Sequence, residues 1–370
     1  MSAPASTHDL HFMEHALDLA RKGVGLASPN PTVGCVIVKD GALVGEGFHR
    51  YDERDHGEIV ALKQAGGNSR GATLYVTLEP CNHTGRTEPC TEAIISSGIS
   101  RVVAATEDPN PKTQGRGFDR LREAGIAVDT GVLGNDAQKL NEAFARWIAT
   151  HKPFVTLKSA VTLDGQLALP LARRGKSRGW ITGEESRAEV HRMRHASDAL
   201  LTGIGTILAD DPLLSDRSGL PRRRRMLRVI LDSKLRLSAT AQILKTVQDD
   251  LLIFTGVSPK LAKIRRLRNA GAEVIPMKLR KGKIDLAAVM KELGKREILS
   301  VLLEAGPKLN AAALAAGIVQ KLVLFYAPTL SGETGVPFVD SLNPVFPRLQ
   351  ICSVKQFGPD VAIEALIRAL

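Results

Sequence analysis

Along most of this chain, short β-branched runs alternate with segments of helical period. "ATLYVTLEP", "SRVVAATEDP", "LRVILD" and "LLIFTG" read as strands, Asp9 to Lys22 repeats apolar residues at helical spacing, and Glu58 to Gly66 and Glu184 to His195 read as helices. "TVGCVIVKDGALVGEG" reads as a hairpin turning at Asp40-Gly41. Strands interleaved with helices specify layered α/β domains. The chain has 370 residues, more than one core usually spans, so two domains are expected. Helical pattern over Asp136 to Thr150 runs into "HKPF", a stop signal, and the boundary falls there: residues 1–150 and 151–370.

No run of about 18 apolar residues occurs, so no membrane span is expected. The N-terminus lacks a basic segment followed by an apolar one, which predicts a cytoplasmic protein. The formal net charge is +11. Its densest source, "PRRRRMLR" from Pro221, reads as a solvated loop and not as a nucleic-acid patch. Four cysteines are too few for a disulfide framework. Cys35 and Cys352 lie in apolar strands and read as buried core thiols, whereas Cys81 and Cys90 sit among loop residues.

"DHGE" supplies His56 and Glu58, and "EPCNHTGRTEPC" supplies Cys81 and Cys90. Zinc takes His nitrogen and Cys sulfur; a structural site holds four protein ligands, a catalytic one three. His56, Cys81 and Cys90 make three. His83 would complete a structural clamp. Glu58, two residues after His56, can reach water on such a metal without ligating it and can shuttle a proton. His-x-Glu with proline-cysteine steps is the pattern of zinc-dependent base deaminases, but here eight residues separate the cysteines where nucleic-acid deaminases have two. In the second half, "ILSVLLEAGPKLNAAAL" reads as strand, Glu304, a turn at Gly306 and a helix start suited to phosphate.

"SPNPTVGCVIV", "HGE", "EPCNHTGRTEPC" and "EDPNPKTQGRG" resemble the N-terminal half of the bifunctional riboflavin-biosynthesis deaminase/reductase family, over most of residues 10–150. "KSAVTLDG", "TGIGTILADDPLL" and "LEAGPKLN" resemble its reductase half, over about residues 150–330. The resemblance implies a cytidine-deaminase-like three-layer α/β/α domain and a dihydrofolate-reductase-like α/β domain. It implies zinc on His56, Cys81 and Cys90, with Glu58 as catalytic proton carrier. Ala160, Trp180, Thr206, Asp210, Ser233 and the run Gly306, Pro307, Lys308, Leu309 and Asn310 fall on NADPH contacts. Ser177, Arg194, Leu214, Arg217 and Glu304 fall on substrate contacts, and the two arginines suit a phosphate. Asn30, His49 and Lys112 are candidate pocket groups of the deaminase. Asp164, before Gly165, is either a turn residue or a site acid, and the turn is the favoured reading. The implied substrate is a diaminopyrimidinone bearing a ribosylamino 5′-phosphate, deaminated and then reduced at the sugar C1′. No nucleic-acid or membrane partner is implied, and a homo-oligomer is expected. The family usually has alanine between the His and Glu; this chain has Gly57.

Overall fold

The computed structural model describes residues 6–84, 88–111, 113–168, 180–256, 260–333, 335–341 and 347–368. Contacts divide the chain into two units, Met1–His151 with Pro221–Arg224, and Lys152–Leu220 with Arg225–Leu370.

The first unit runs α1 (Thr7–Lys22), β1 (Gly34–Lys39), β2 (Ala42–Phe48), α2 (Gly57–Ala65), β3 (Thr73–Val76), α3 (Cys90–Ser96), β4 (Arg101–Ala104), α4 (Arg116–Glu123), β5 (Ala127–Thr130), α5 (Gly134–Leu140) and α6 (Glu142–Thr150). Its sheet has the order β2-β1-β3-β4-β5. The β1–β2 hairpin turns at Asp40 and Gly41, both at positive φ, the pair of left-handed residues that a two-residue turn between twisted strands requires. Alternate strand residues then face two cores. Val36, Val38, Tyr75 and Val103 pack with Met13 and Leu17 of α1 and Ala137 of α5. Ile37, Leu74, Val76 and Val102 pack with Ala61 of α2, Ile94 of α3 and Leu121 of α4. The result is a three-layer sandwich.

The second unit runs β6 (Phe154–Thr162), β7 (Gln166–Ala168), α7 (Glu184–His195), β8 (Ala199–Gly203), α8 (Ile204–Asp210), β9 (Leu227–Leu231), β10 (Leu251–Gly256), α9 (Leu261–Asn269), β11 (Glu273–Met277), β12 (Leu279–Arg280), β13 (Lys283–Ile284), α10 (Leu286–Lys295), β14 (Ser300–Leu303), α11 (Pro307–Ala315), β15 (Lys321–Ala327), β16 (Val336–Pro337), β17 (Arg348–Phe357) and β18 (Asp360–Arg368). Nine strands form one sheet, β11-β10-β9-β8-β14-β6-β15-β18-β17. From β11 to β15 neighbours are parallel; β18 and β17 are antiparallel additions. Helix α8 leaves β8 onto the face of Ile230 and Ile253. Helix α11 leaves the neighbouring β14 onto the opposite face, with Val229 and Leu252. Adjacent parallel strands whose helices depart to opposite faces open a crevice at their carboxyl ends, the ordinary place for a ligand in such a sheet.

Three readings need correction. The helical stretch before His151 is broken at Asn141, whose backbone (φ −109°, ψ 16°) leaves the helical region and whose side chain accepts from Thr32 N (2.8 Å) and donates to Thr32 O (2.9 Å). Cys352 is exposed, because β17 is a sheet edge with both faces largely open. The arginine run is not simply a solvated loop. Arg223 lies 3.9 Å over the Tyr51 ring and bonds Asp52 (2.8 Å), and Arg224 donates to Ser28 Oγ (3.1 Å), so this segment is part of the first unit's packing. Arg228 is fully buried and paired with Asp250 at 2.7 Å.

Candidate active sites

His56 is the N-cap of α2 and Cys90 the first residue of α3, so both stand where unpaired helix amides face out. Cys81 follows the end of "LEP". The Cys90 amide donates to Cys81 Sγ (3.4 Å), and His56 Nδ1 lies 3.2 Å from Cys90 Sγ and 3.6 Å from Cys81 Sγ. The three donor atoms fall within 4.8 Å of one another. Tetrahedral zinc, with bonds of about 2.1 Å to nitrogen and about 2.3 Å to sulfur, would set such atoms about 3.5 Å apart, so the donor set fits zinc. Hydrogen bonding from the Cys90 thiol pulls the Cys81 thiol down to about 4, and the same bond pushes Cys90 up. His83 is no fourth donor. It is exposed, and its Nδ1 lies 3.3 Å from Thr113 Oγ1, outside the three-residue cluster.

Glu58 sits in the first turn of α2, only 3% exposed, and its Oε2 has no hydrogen-bond partner among the described residues. Burial pushes its carboxyl up, while the His56 charge opposes the shift. A buried acceptor left open beside three ligand atoms is what a water at the fourth position of zinc would satisfy.

The surrounding loops are fastened by groups that carry little sequence signal. Glu79, buried, accepts from the backbone amides of Asp108, Gly115 and Gly117 at 3.1, 2.9 and 2.8 Å, tying the Cys81 loop to the start of α4. Its place in a repeated "EPC" could have marked it. His49 accepts from Asn30 Nδ2 at Nε2 (3.0 Å) and donates from Nδ1 to Asp55 O (2.8 Å), and its ring meets His56 edge-on at 5.2 Å. Asn30 and His49 are therefore brought to the cluster. Lys112 lies outside the described residues.

In the second unit, Arg194 at the end of α7 forks onto Glu304 just after β14, at 2.8 and 2.9 Å, and donates to Ser215 O (3.0 Å). That pair holds the Glu304 carboxyl down at about 2, against the pull of burial. The structure thus spends the Arg194 fork on Glu304, where the sequence suggested a phosphate. Leu214, buried at positive φ, and Arg217, exposed, belong to the loop that Arg194 holds. Ser177 lies outside the described residues.

Two groups here escaped the sequence reading. Lys158 of β6 directs its ammonium toward the Phe325 ring (5.7 Å), and burial pushes its pKa down beside Glu304 and Arg194. A lone lysine inside an apolar strand was the available signal. His191 accepts from Arg217 N (3.3 Å).

The residues expected at the cofactor are distributed over neighbouring parallel strands: Ala160 on β6, Thr206 and Asp210 on α8 after β8, Ser233 after β9, and Gly306 with Pro307, Lys308, Leu309 and Asn310 opening α11 after β14. Gly306 is the N-cap and Pro307 occupies the first turn. A Cβ at Gly306 or at Gly205 would meet nothing within 4 Å, so both helix starts leave open ground for a pyrophosphate. Asn310 Oδ1 is buried without a partner among the described residues. These features fit a dinucleotide. Trp180 stands apart, 62% exposed, with the Arg187 guanidinium 5.4 Å from its ring. Asp164 accepts from Ser331 N and Gly332 N ahead of Gly165 at positive φ, the geometry of a turn residue.

A three-donor metal cluster with a buried carboxylate, in one unit, and a dinucleotide crevice, in the other, define a zinc-dependent deaminase joined to a nicotinamide-dependent reductase. Residues 6–106 match the cytidine and deoxycytidylate deaminase zinc-binding region, and residues 153–363 match the RibD C-terminal domain. The chain is 43% identical to the riboflavin biosynthesis protein RibD of Aquifex aeolicus (strain VF5) over 88% of each chain. It is 39% identical to that of Escherichia coli (strain K12), over 96% of this chain and 98% of the relative. Acinetobacter baumannii RibD, form 1, superposes with a TM-score of 0.84 at 36% identity, covering 98% of this chain and 99% of that one. The deaminase/reductase of Thermotoga maritima superposes with a TM-score of 0.82, also at 36% identity, covering 98% of this chain and 99% of that one. The chain belongs to the RibD family of bifunctional riboflavin-biosynthesis deaminase/reductases. Its cofactors are zinc and NADPH, and its substrate is a small phosphorylated pyrimidine.

Proposed function

We propose that residues 1–150 deaminate 2,5-diamino-6-(5-phosphoribosylamino)pyrimidin-4(3H)-one, and that residues 151–370 reduce the ribosyl C1′ of the product to give 5-amino-6-(5-phosphoribitylamino)uracil. The observation that carries the reading is the open Glu58 Oε2 beside the His56, Cys81 and Cys90 donors.

In this reading His56 Nδ1 and the two sulfurs hold zinc. Zinc, when bound, supplies the Lewis acidity that makes water nucleophilic near neutral pH. Glu58 takes the proton from the attacking water and delivers it to the departing ring amine, which leaves as ammonia. Its burial, by raising its proton affinity, suits both tasks. Asn30 and His49 fix the loop that closes over the pyrimidine.

In the second unit Gly306 and the first turn of α11 hold the pyrophosphate of NADPH, with Thr206 and Asp210 across the crevice. NADPH, when bound, supplies a hydride. Glu304 and Arg194, locked together, shape the sugar site; Lys158 adds positive charge at its floor. Arg217 has no acidic side-chain partner among the described residues and is the guanidinium left for the substrate phosphate. The reading also carries a homo-oligomer in the cytoplasm that needs no nucleic acid, which sedimentation of the purified protein and its nucleic-acid content would check.

The test is to supply the diaminopyrimidinone phosphate with NADPH and follow ammonia and the loss of NADPH absorbance. Wild type should do both; doing neither sinks the reading. Glu58→Gln should lower ammonia release by roughly 10²–10⁴-fold while zinc stays bound. Loss of zinc from that variant would instead assign Glu58 a structural role.

A further inference from the structure

We propose that His191 is a positioning residue of the reductase step: its neutral ring holds Arg217 where the substrate phosphate arrives, and a proton on that ring releases it. The inference rests on Arg217 receiving that phosphate, as proposed above.

The last turn of α7 carries His191, Arg194 and His195, at i, i+3 and i+4, so the three share one face. That face grips one loop. His191 Nδ1 accepts from Arg217 N (3.3 Å), Arg194 donates to Ser215 O (3.0 Å), and His195 Nδ1 lies 3.3 Å from Asp216 Oδ2. Asp216 Oδ1 also accepts from Ser218 N at 2.9 Å, so the residues on both sides of Arg217 are fastened. Arg217 itself is exposed on this held backbone. Less freedom is then lost when its guanidinium takes a ligand.

Of the three grips, that of His191 acts on Arg217 itself, and it requires a bare nitrogen. A backbone amide donates and never accepts, so Nδ1 carries the lone pair and Nε2 the ring proton. A second proton, on Nδ1, would set N–H against N–H and break the bond. Arg194 keeps its charge at any working pH, and His195 faces a carboxylate that suits a charged ring as well as a neutral one. The charged groups around His191 are Arg194 on its own helix, Arg217 and Asp216 on the loop, and Glu304 after β14. Burial, then the charges of Arg194 and Arg217, press the ring toward its neutral form, against Asp216 and Glu304. The loop is thus held near neutral pH and let go as pH falls.

The experiment supplies the deaminated intermediate and NADPH to the full chain and reads kcat and KM from about pH 5 to about pH 8. His191→Ala should raise KM about tenfold at neutral pH and leave kcat within about twofold. His191→Asn puts a carbonyl oxygen near the place of Nδ1 and cannot take up a proton. It should restore KM and lessen the rise in KM that wild type shows at acid pH, leaving the part due to the substrate's own phosphate. With the dephosphorylated intermediate, His191→Ala should match wild type. An alanine variant with unchanged KM, or an asparagine variant with the wild-type pH profile, overturns the proposal. Arg217→Ala tests the underlying assignment: it should raise KM at least about tenfold for the phosphorylated intermediate alone. If it does and His191→Ala does not, the hold of His191 is refuted. If it does not, the phosphate lies elsewhere and the proposal falls with that assignment.

Discussion

Gly57 and Gly117 both sit where backbone crowds the deaminase site, with different margins. A Cβ on Gly57 would lie 3.1 Å from Val33 O, which a small shift relieves. A Cβ on Gly117 would lie 2.1 Å from Pro80 O, the carbonyl preceding Cys81, and 3.0 Å from Glu79 Oε1. The close seating of α2 on β2 requires glycine at Gly45 and Gly47, where Cβ atoms would meet Ala61 O at 2.3 Å and Gly57 O at 2.5 Å, and not at Gly57. Gly57→Ala is expected to keep its zinc and to change stability by less than about 1 kcal/mol, the helix-propensity gain offsetting the contact. Gly117→Ala is expected to displace Cys81 and weaken zinc at least tenfold. Competition with a chromogenic chelator separates the two, and equal behaviour would refute the distinction. His56, Cys81, Cys90 and Glu58 could be picked from the sequence because ligand chemistry restricts residue type and spacing. Lys158 and Glu79 stand out by residue type or by the repeated "EPC", but the groups they meet depend on which elements become neighbours and were not legible.

At the scale of elements, the tie between α1 and β4 is the clearest electrostatic bond in the first unit. Asp9 accepts from Arg101 at 2.8 and 3.1 Å and from Tyr75 Oη at 2.9 Å. The Arg101 guanidinium holds its carboxyl well below the usual carboxylate range. A carboxyl depressed on folding adds stability above its unfolded pKa of about 3.9 and loses it as pH falls toward the folded value. Asp9→Asn should therefore cost about 1–3 kcal/mol at pH 7 and progressively less below about pH 4, read from denaturant midpoints across pH. A cost that does not fall with pH would exclude the ion pair as its source. Elements with one buried apolar face were legible, as in α1, where Met13, Leu17 and Ala20 of the sequence pattern are all buried. Of the β17–β18 hairpin only a strand around Cys352 was read, and its exposure was not, because β17 is open on both faces despite its apolar residues. Helix α8 was missed for its length, seven residues with only Ile204 and Ile207 buried.

At the scale of the molecule, the two chemistries occupy separate units with separate cores. His56→Ala should abolish ammonia release yet leave NADPH oxidation intact when the deaminated intermediate is supplied. Arg194→Ala should do the reverse. Paired assays of each variant check this, and loss of both activities from either one would contradict the two-site picture. The fold class was legible at this scale because alternating strands and helices leave few layered solutions. The membership of Pro221–Arg224 in the first unit was not, since nothing local in an arginine run says which surface receives it.

That membership bears on any attempt to divide the protein. A gene cut after His151 would encode the deaminase without four residues of its own packing. Tyr51 would lose the cation lying on its ring, Gly25 O the amide of Arg223, and Ser28 the guanidinium on its hydroxyl. Ser28 and Gly25 lead into Asn30, and Tyr51 into His56, so the loosened residues adjoin those proposed for the deaminase pocket. The deaminase half cut after His151 is therefore expected to be less stable than the same half carrying Pro221–Arg224, which the denaturant midpoints of the two would show. A synthetic version would need an arginine-bearing peptide in trans, or a graft of Pro221–Arg224 onto its own surface, to recover what the second half of the gene supplies.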